Sequence, residues 1–130
     1  GRFADEYNMF ACTADDLAAR VEVMTKAATT LGRDPAEIKV SVTTSAILGA
    51  DESEYRDALG AAAASRDKEP EELEASLAER RILHGTYERA AELVSQYKSE
   101  GVGRMYIQHF SPLRDIDADE VERHLQGLIG

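Results

Sequence analysis

The 130-residue sequence predicts an α/β fold of parallel strands, of the kind that forms the last part of a (β/α)8 TIM barrel. Three observations predict it. His84 to Phe110 (HGTYERAAELVSQYKSEGVGRMYIQHF) reads as a helix, a one-glycine stop and a buried strand, which is half of a βαβ unit. Ile38 to Leu48 (IKVSVTTSAIL) is rich in β-branched residues and carries no charge after Lys39, as a buried strand should. No two expected strands are joined by a two-residue hairpin turn, so neighbours should run parallel with right-handed crossovers.

Taken in order, FADEYNMF at 3–10 has apolar ends and a polar middle and is read as a short strand. Thr13 opens a helix, with Asp16 three residues later in a capping-box-like arrangement. Leu17, Val21, Met24, Ala28 and Leu31 form its apolar stripe, and Gly32 stops it. The polar turn RDPAEI leads into the strand at 38–48. Ile38, Val40 and Val42 share one face of that strand. Its end, Thr43-Thr44-Ser45, is small and hydroxylated, suited either to lining a polar pocket or to bonding backbone within the sheet.

Asp51 caps a second helix, which runs to about Ser65 through Tyr55, Leu59, Ala62 and Ala63. Pro70 begins a third at the first-turn position that proline favours, with Leu73 and Leu77 as its apolar pair. RRILHG ends that helix. Thr86 then caps a fourth, whose stripe is Ala90, Leu93, Val94 and Tyr97, and Gly101 ends it. A strand at 104–110 follows, then a polar loop. Asp117 with Glu120 caps a last helix carrying Val121, Leu125 and Leu128. The expected order is β-α-β-α-α-α-β-α. It makes one partial domain over 1–130, with a helical insertion at about 52–84. A sheet of three parallel strands leaves both edges open, and open edges invite another chain. A barrel portion, a small three-layer domain and an edge-sealing dimer all satisfy that constraint.

Composition narrows the function classes. The net charge is −10, from 25 acidic and 15 basic residues, which disfavours nucleic acid and anionic membrane surfaces as partners. Cys12 is the only cysteine, so no intrachain disulfide forms, and a cytoplasmic setting is expected. No apolar run approaches the ~20 residues of a membrane span, and no basic head with an apolar run marks a signal peptide. The opening GRFADEYN reads as mid-domain sequence, so the expectation is a piece of something longer.

GRFADEYN, GRDPAEI before the second strand, and HGTYERAAELVSQYKSEGV followed by RMYIQHF resemble, in order and spacing, the C-terminal part of luciferase-like monooxygenases. That family often shows an "ADEWN"-like run, a "GRDP" turn and a "GTPEE" helix start ending in "EAGV". Tyr7 stands where the family often has Trp, and Tyr87 where it often has Pro. The resemblance implies strands six to eight of a TIM barrel, with a helical insertion. It also implies an oxidoreductase, a monooxygenase or hydride-transfer dehydrogenase, that uses FMN or the deazaflavin coenzyme F-420 on a small-molecule substrate. The intact barrel would be the enzyme and this chain alone inactive. Its partner would be the N-terminal half of the barrel, or a second copy at the open edges. The alternative is a non-catalytic α/β module or self-associating half-barrel.

A barrel site sits at the C-terminal ends of its strands. The resemblance therefore makes Asp5, Glu6 and Asn8 candidates for the cofactor side. Helix N-termini bind phosphate through unpaired N–H groups and the dipole, which adds Gly85-Thr86 and Cys12-Thr13. Plain capping and rim salt bridges explain the same residues without a ligand. His84, His109 and His124 match no metal spacing. His109, at a strand end, is a candidate acid or base. Cys12 has no basic group beside it in sequence and is expected to be inert.

Overall fold

A computed structural model describes residues 4–109 and 118–129 of the chain. Four strands, all parallel, make one small open sheet: β1 (Glu6–Phe10), β2 (Lys39–Gly49), β3 (Leu83–Thr86) and β4 (Arg104–His109). Between and after them lie α1 (Ala14–Thr30), α2 (Glu52–Ala64), α3 (Pro70–Glu79), α4 (Tyr87–Ser99) and α5 (Ala118–Ile129). A short 3-10 turn, Pro35–Glu37, precedes β2. The expectation of three strands is corrected here. RRILHG does not merely end a helix, because its Leu83 starts a fourth strand.

β2 is the spine. Its residues 41–43 pair on one edge with Asn8, Met9 and Phe10 and on the other with Arg104, Met105 and Tyr106. Farther along, its residues 46–49 pair with β3. The run therefore does not end at Thr43-Thr44-Ser45, which lies mid-strand. Thr43 donates to the Asn8 amide oxygen and Thr44 to the Ser45 carbonyl, and Thr44 also accepts from the Leu83 N–H. These hydroxyls serve the sheet.

Local chemistry sets the helix bounds. Thr13, Asp51 and Thr86 each accept from the N–H three residues on, at 3.2, 2.8 and 3.4 Å. Pro70 is in the first turn of α3. Gly32 and Gly101 are left-handed, at φ 70° and 96°, and close α1 and α4. Tyr87 begins α4 and packs against α5. A Cβ on Gly127 would lie 2.4 Å from the Tyr87 ring.

One face of the sheet carries α1, α4 and α5. Met9, Val40 and Val42 pack with Leu17 of α1 and Tyr97 of α4. Ala46, Leu48 and Leu83 pack with Ala90 of α4, and Leu128 of α5 joins them. On the opposite face, at the far end of β2, Ile47 meets α2 and α3 through Tyr55, Leu59, Leu73 and Leu77. Two expected stripe residues miss the core. Leu31 is 56% exposed, because α1 ends before it, and Leu125 is 45% exposed. On α5 the neighbouring His124 is buried instead, edge-on to Tyr87 at 5.4 Å. Phe3, the strand end at Phe110 and the Asp117–Glu120 cap lie outside the described residues and side chains.

Gly49 lets α2 turn back over the end of β2. A Cβ there would sit 2.2 Å from the Tyr55 amide nitrogen, a backbone atom that cannot swing away. Gly60, inside α2, has open space where its Cβ would be. Gly49→Ala should therefore cost more than about 2 kcal/mol by overpacking. Gly60→Ala should add about 0.5–1 kcal/mol through helix propensity. Urea midpoints of the two variants check this, and equal shifts would contradict it.

Candidate functional site

Side chains alternate along a strand, so the register also defines the second face. Where β1, β2 and β4 lie side by side it comprises Glu6, Asn8 and Phe10 of β1, Lys39, Ser41, Thr43 and Ser45 of β2, and Arg104, Tyr106 and Gln108 of β4. None of these belongs to an apolar cluster. Phe10 is 73% and Tyr106 43% exposed.

A belt of polar contacts crosses this face. Arg104 pairs with Glu6 at 3.0 Å and donates to the Tyr106 hydroxyl at 3.1 Å. Asn8 donates to Ser41 at 2.9 Å and accepts from Thr43 at 3.1 Å. Ser41 is fully buried beneath its neighbours. Its hydrogen bond to Glu6 holds that carboxyl below the usual range, against partial desolvation. Tyr106 and the charges of Arg104 and Lys39 act in the same direction. A carboxylate, a guanidinium, an amide and hydroxyls thus stand on one wall, able to orient a polar ligand by hydrogen bonds.

The sequence-predicted residues fall into separate places. Glu6 and Asn8 are in the belt. Asp5 is exposed and pairs with Arg33 at 2.9 Å, a rim ion pair. Thr13 caps α1 beyond the end of β1. Gly85, at φ 108°, lies in β3, and Thr86 caps α4. Glu6 stands opposite Lys39 and Thr86 opposite Gly49, at the two ends of β2. Ten residues at ~3.3 Å each separate those levels by about 33 Å. One phosphate cannot touch both groups. Ser41, Arg104 and Tyr106 went unread as site residues, whereas Thr43 is one of the three hydroxyls read as able to line a polar pocket. Their signal was polar residues at every second position of three strands.

The remaining candidates resolve as follows. Cys12 is buried, and burial pushes its thiol up, so it stays protonated near neutrality. The Nδ1 atom of His84 lies 2.6 Å from the Ile82 carbonyl. The side chain of His109 lies outside those described. Among the described residues no three His, Cys, Asp or Glu side chains gather as a metal site. Nor, among them, is any helix long and apolar enough to cross a membrane.

No protein-family model matches the chain, and no curated protein matches it. The fold and this face define an α/β protein with a small open parallel sheet, one side covered by α1, α4 and α5 and the other polar beside β1 and β4 and covered by α2 and α3 at the far end of β2.

Because the folded Glu6 pKa is lowered, its carboxylate stabilises the fold above the ordinary value of about 4.3, and this is lost as pH falls through the lowered value. Melting curves of wild type and Glu6→Gln should differ most at neutral pH and converge in acid. A gap that stays constant into acid would contradict the assignment.

Proposed function

We propose that the chain is the C-terminal portion, about strands six to eight, of a luciferase-like (β/α)8 oxidoreductase that uses FMN or the deazaflavin coenzyme F-420. One arrangement supports this reading. β1, β2 and β4 lie side by side in chain order, and α1 and α4 cover the same face. Strands laid down in sequence with α1 and α4 on one side match a barrel arc, whose other face looks inward; α2 and α3, on that other face at the far end of β2, belong to the insertion. In keeping with an arc, apolar residues stay exposed where it would continue. Phe10 and Tyr106 are on the inner face, Val23 and Leu31 on α1, and Leu125 and Ile129 on α5. The short β3 belongs to the insertion.

In this reading the belt of Glu6, Asn8, Ser41 and Arg104 is part of the inner wall. The coenzyme supplies the hydride chemistry, and this chain binds and orients. A coenzyme phosphate would meet the Thr86 hydroxyl and the first-turn N–H groups of α4. Gly85 fits that role. The space a Cβ would fill there is taken by the Arg89 side chain, 3.1 Å from the Cβ position. That cation is shared with Glu52, at 2.7 Å, which a phosphate would have to displace. Asp5 and Thr13 stay at the rim.

A non-catalytic α/β module is the second reading. It is favoured by the self-contained pairing of the belt, in which Glu6 already has Arg104 and Ser41.

Fluorescence titration with FMN and with coenzyme F-420 separates the two. The oxidoreductase reading expects micromolar binding once the chain is joined to the coding sequence upstream of Gly1, and at least tenfold weaker binding without it, roughly 1.4 kcal/mol or more. Absence of binding in the extended form contradicts it.

A further inference from the structure

The open edge of β1 and the outer flank of α1 lie side by side. Among the described residues β1 pairs only with β2. The Asp5 carbonyl and the Ala11 N–H bond toward β2, so alternation turns the backbone groups of Glu6, Asn8 and Phe10 to the open side. On the helix-covered face is a cavity of about 260 Å³, lined by Ala4, Tyr7, Val23, Ala27, Leu31 and Ile38, among others. Val23, Ala27 and Leu31 recur every four residues and are exposed, next to Met24 and Ala28, which line the same cavity from the core side. Val23 is 65% exposed. The stripe carries opposite charges at its ends. Arg20 precedes Val23 by one turn and makes no ion pair among the described residues. Asp34 lies just past the end of α1, beyond Gly32, and among the described residues accepts from the Ala36 N–H.

We propose that this surface joins two copies of the chain about a two-fold axis. β1 pairs antiparallel with the partner subunit's β1, centred on Asn8, and α1 packs antiparallel on the partner subunit's α1, centred on Ala27. The surface is self-complementary in this arrangement, as an isologous contact must be. Asn8 exchanges backbone hydrogen bonds with the partner subunit's Asn8, and Glu6 with the partner subunit's Phe10, which satisfies the open edge. Val23 meets the partner subunit's Leu31. The small Ala27 at the crossing allows the ~8–10 Å approach of packed helices. Arg20 faces the partner subunit's Asp34, which fixes the antiparallel sense. Strand and helix centres agree in level, because Tyr7 and Ala27 line the same cavity. The inference rests on the edge and the flank of the 130-residue chain on its own; in the barrel reading a preceding strand would take this same edge, so the dimer is tested on this chain and coenzyme binding on the extended one.

Sedimentation equilibrium from micromolar to submillimolar protein tests it, at about 0.15 M salt so that the net charge of −10 is screened. A species of twice the 14.2 kDa chain mass is expected. Leu31→Glu should weaken it by about tenfold or more. Arg20→Glu and Asp34→Lys should each weaken it by about threefold, and the double exchange should restore it. Circular dichroism confirms that each variant is folded. A monomer throughout, larger open-ended assemblies, or a dimer indifferent to Leu31→Glu would each overturn the proposal. Failure here leaves coenzyme binding untouched, and failure of coenzyme binding leaves the dimer untouched.

Discussion

Much of this structure depends on where the Tyr97 hydroxyl goes. The ring is fully buried among Met9, Leu17, Val40 and Val42. Its oxygen accepts from the Cys12 N–H at 3.3 Å and lies 3.2 Å from the Cys12 carbonyl and 3.1 Å from that of Arg81. With one proton it donates to one of these carbonyls at a time. Three segments meet at that oxygen: the exit of β1, the entry to β3, and α4. Arg81 completes the joint. Its guanidinium stacks 4.2 Å from the Tyr97 ring centroid, pairs with Glu100 at 2.9 Å and donates to the Cys12 carbonyl. Without the hydroxyl, buried backbone groups at the turn into β3 would lack a partner, which is costly away from water. The residue that reads as the last apolar position of a helix stripe is therefore also a polar tie across 85 residues of chain.

What could be read in advance was what local rules govern. The caps at Thr13, Asp51 and Thr86 need only a hydroxyl or carboxylate and a following N–H. The stops at Gly32 and Gly101 need only a residue that tolerates positive φ. β2 was legible because β-branched residues run along both of its faces. The parallel arrangement followed from the lack of tight turns.

The features that escaped are held by distant partners. β3 is four residues long and contains a glycine, so it has no pattern of its own. The chain enters it through Arg81 in a left-handed conformation, φ 52°, where no glycine announces a turn. The ties to Tyr97, Cys12 and Glu100 are what hold that residue there. Leu125 and His124 exchanged roles for a similar reason. Tyr87 and Gly127 decide how α5 rests on α4, and periodicity alone does not record that choice. The polar belt was half visible. Glu6 and Asn8 were singled out, but their partners Ser41 and Arg104 lie on other strands, and only the register brings them together.

Where β1, β2 and β4 lie side by side, one face is apolar and helix-covered and the other polar and open, and this asymmetry is the common basis of the site and of the barrel-arc reading. Hydroxyl-radical footprinting read by mass spectrometry tests that asymmetry directly, because four aromatic rings report on it. Phe10 and Tyr106 should be modified rapidly in the native chain, while Tyr55 and Tyr97, both fully buried, should resist until the protein unfolds. Protection of Phe10 and Tyr106 equal to that of Tyr97 would mean that the second face is covered, and would contradict the account.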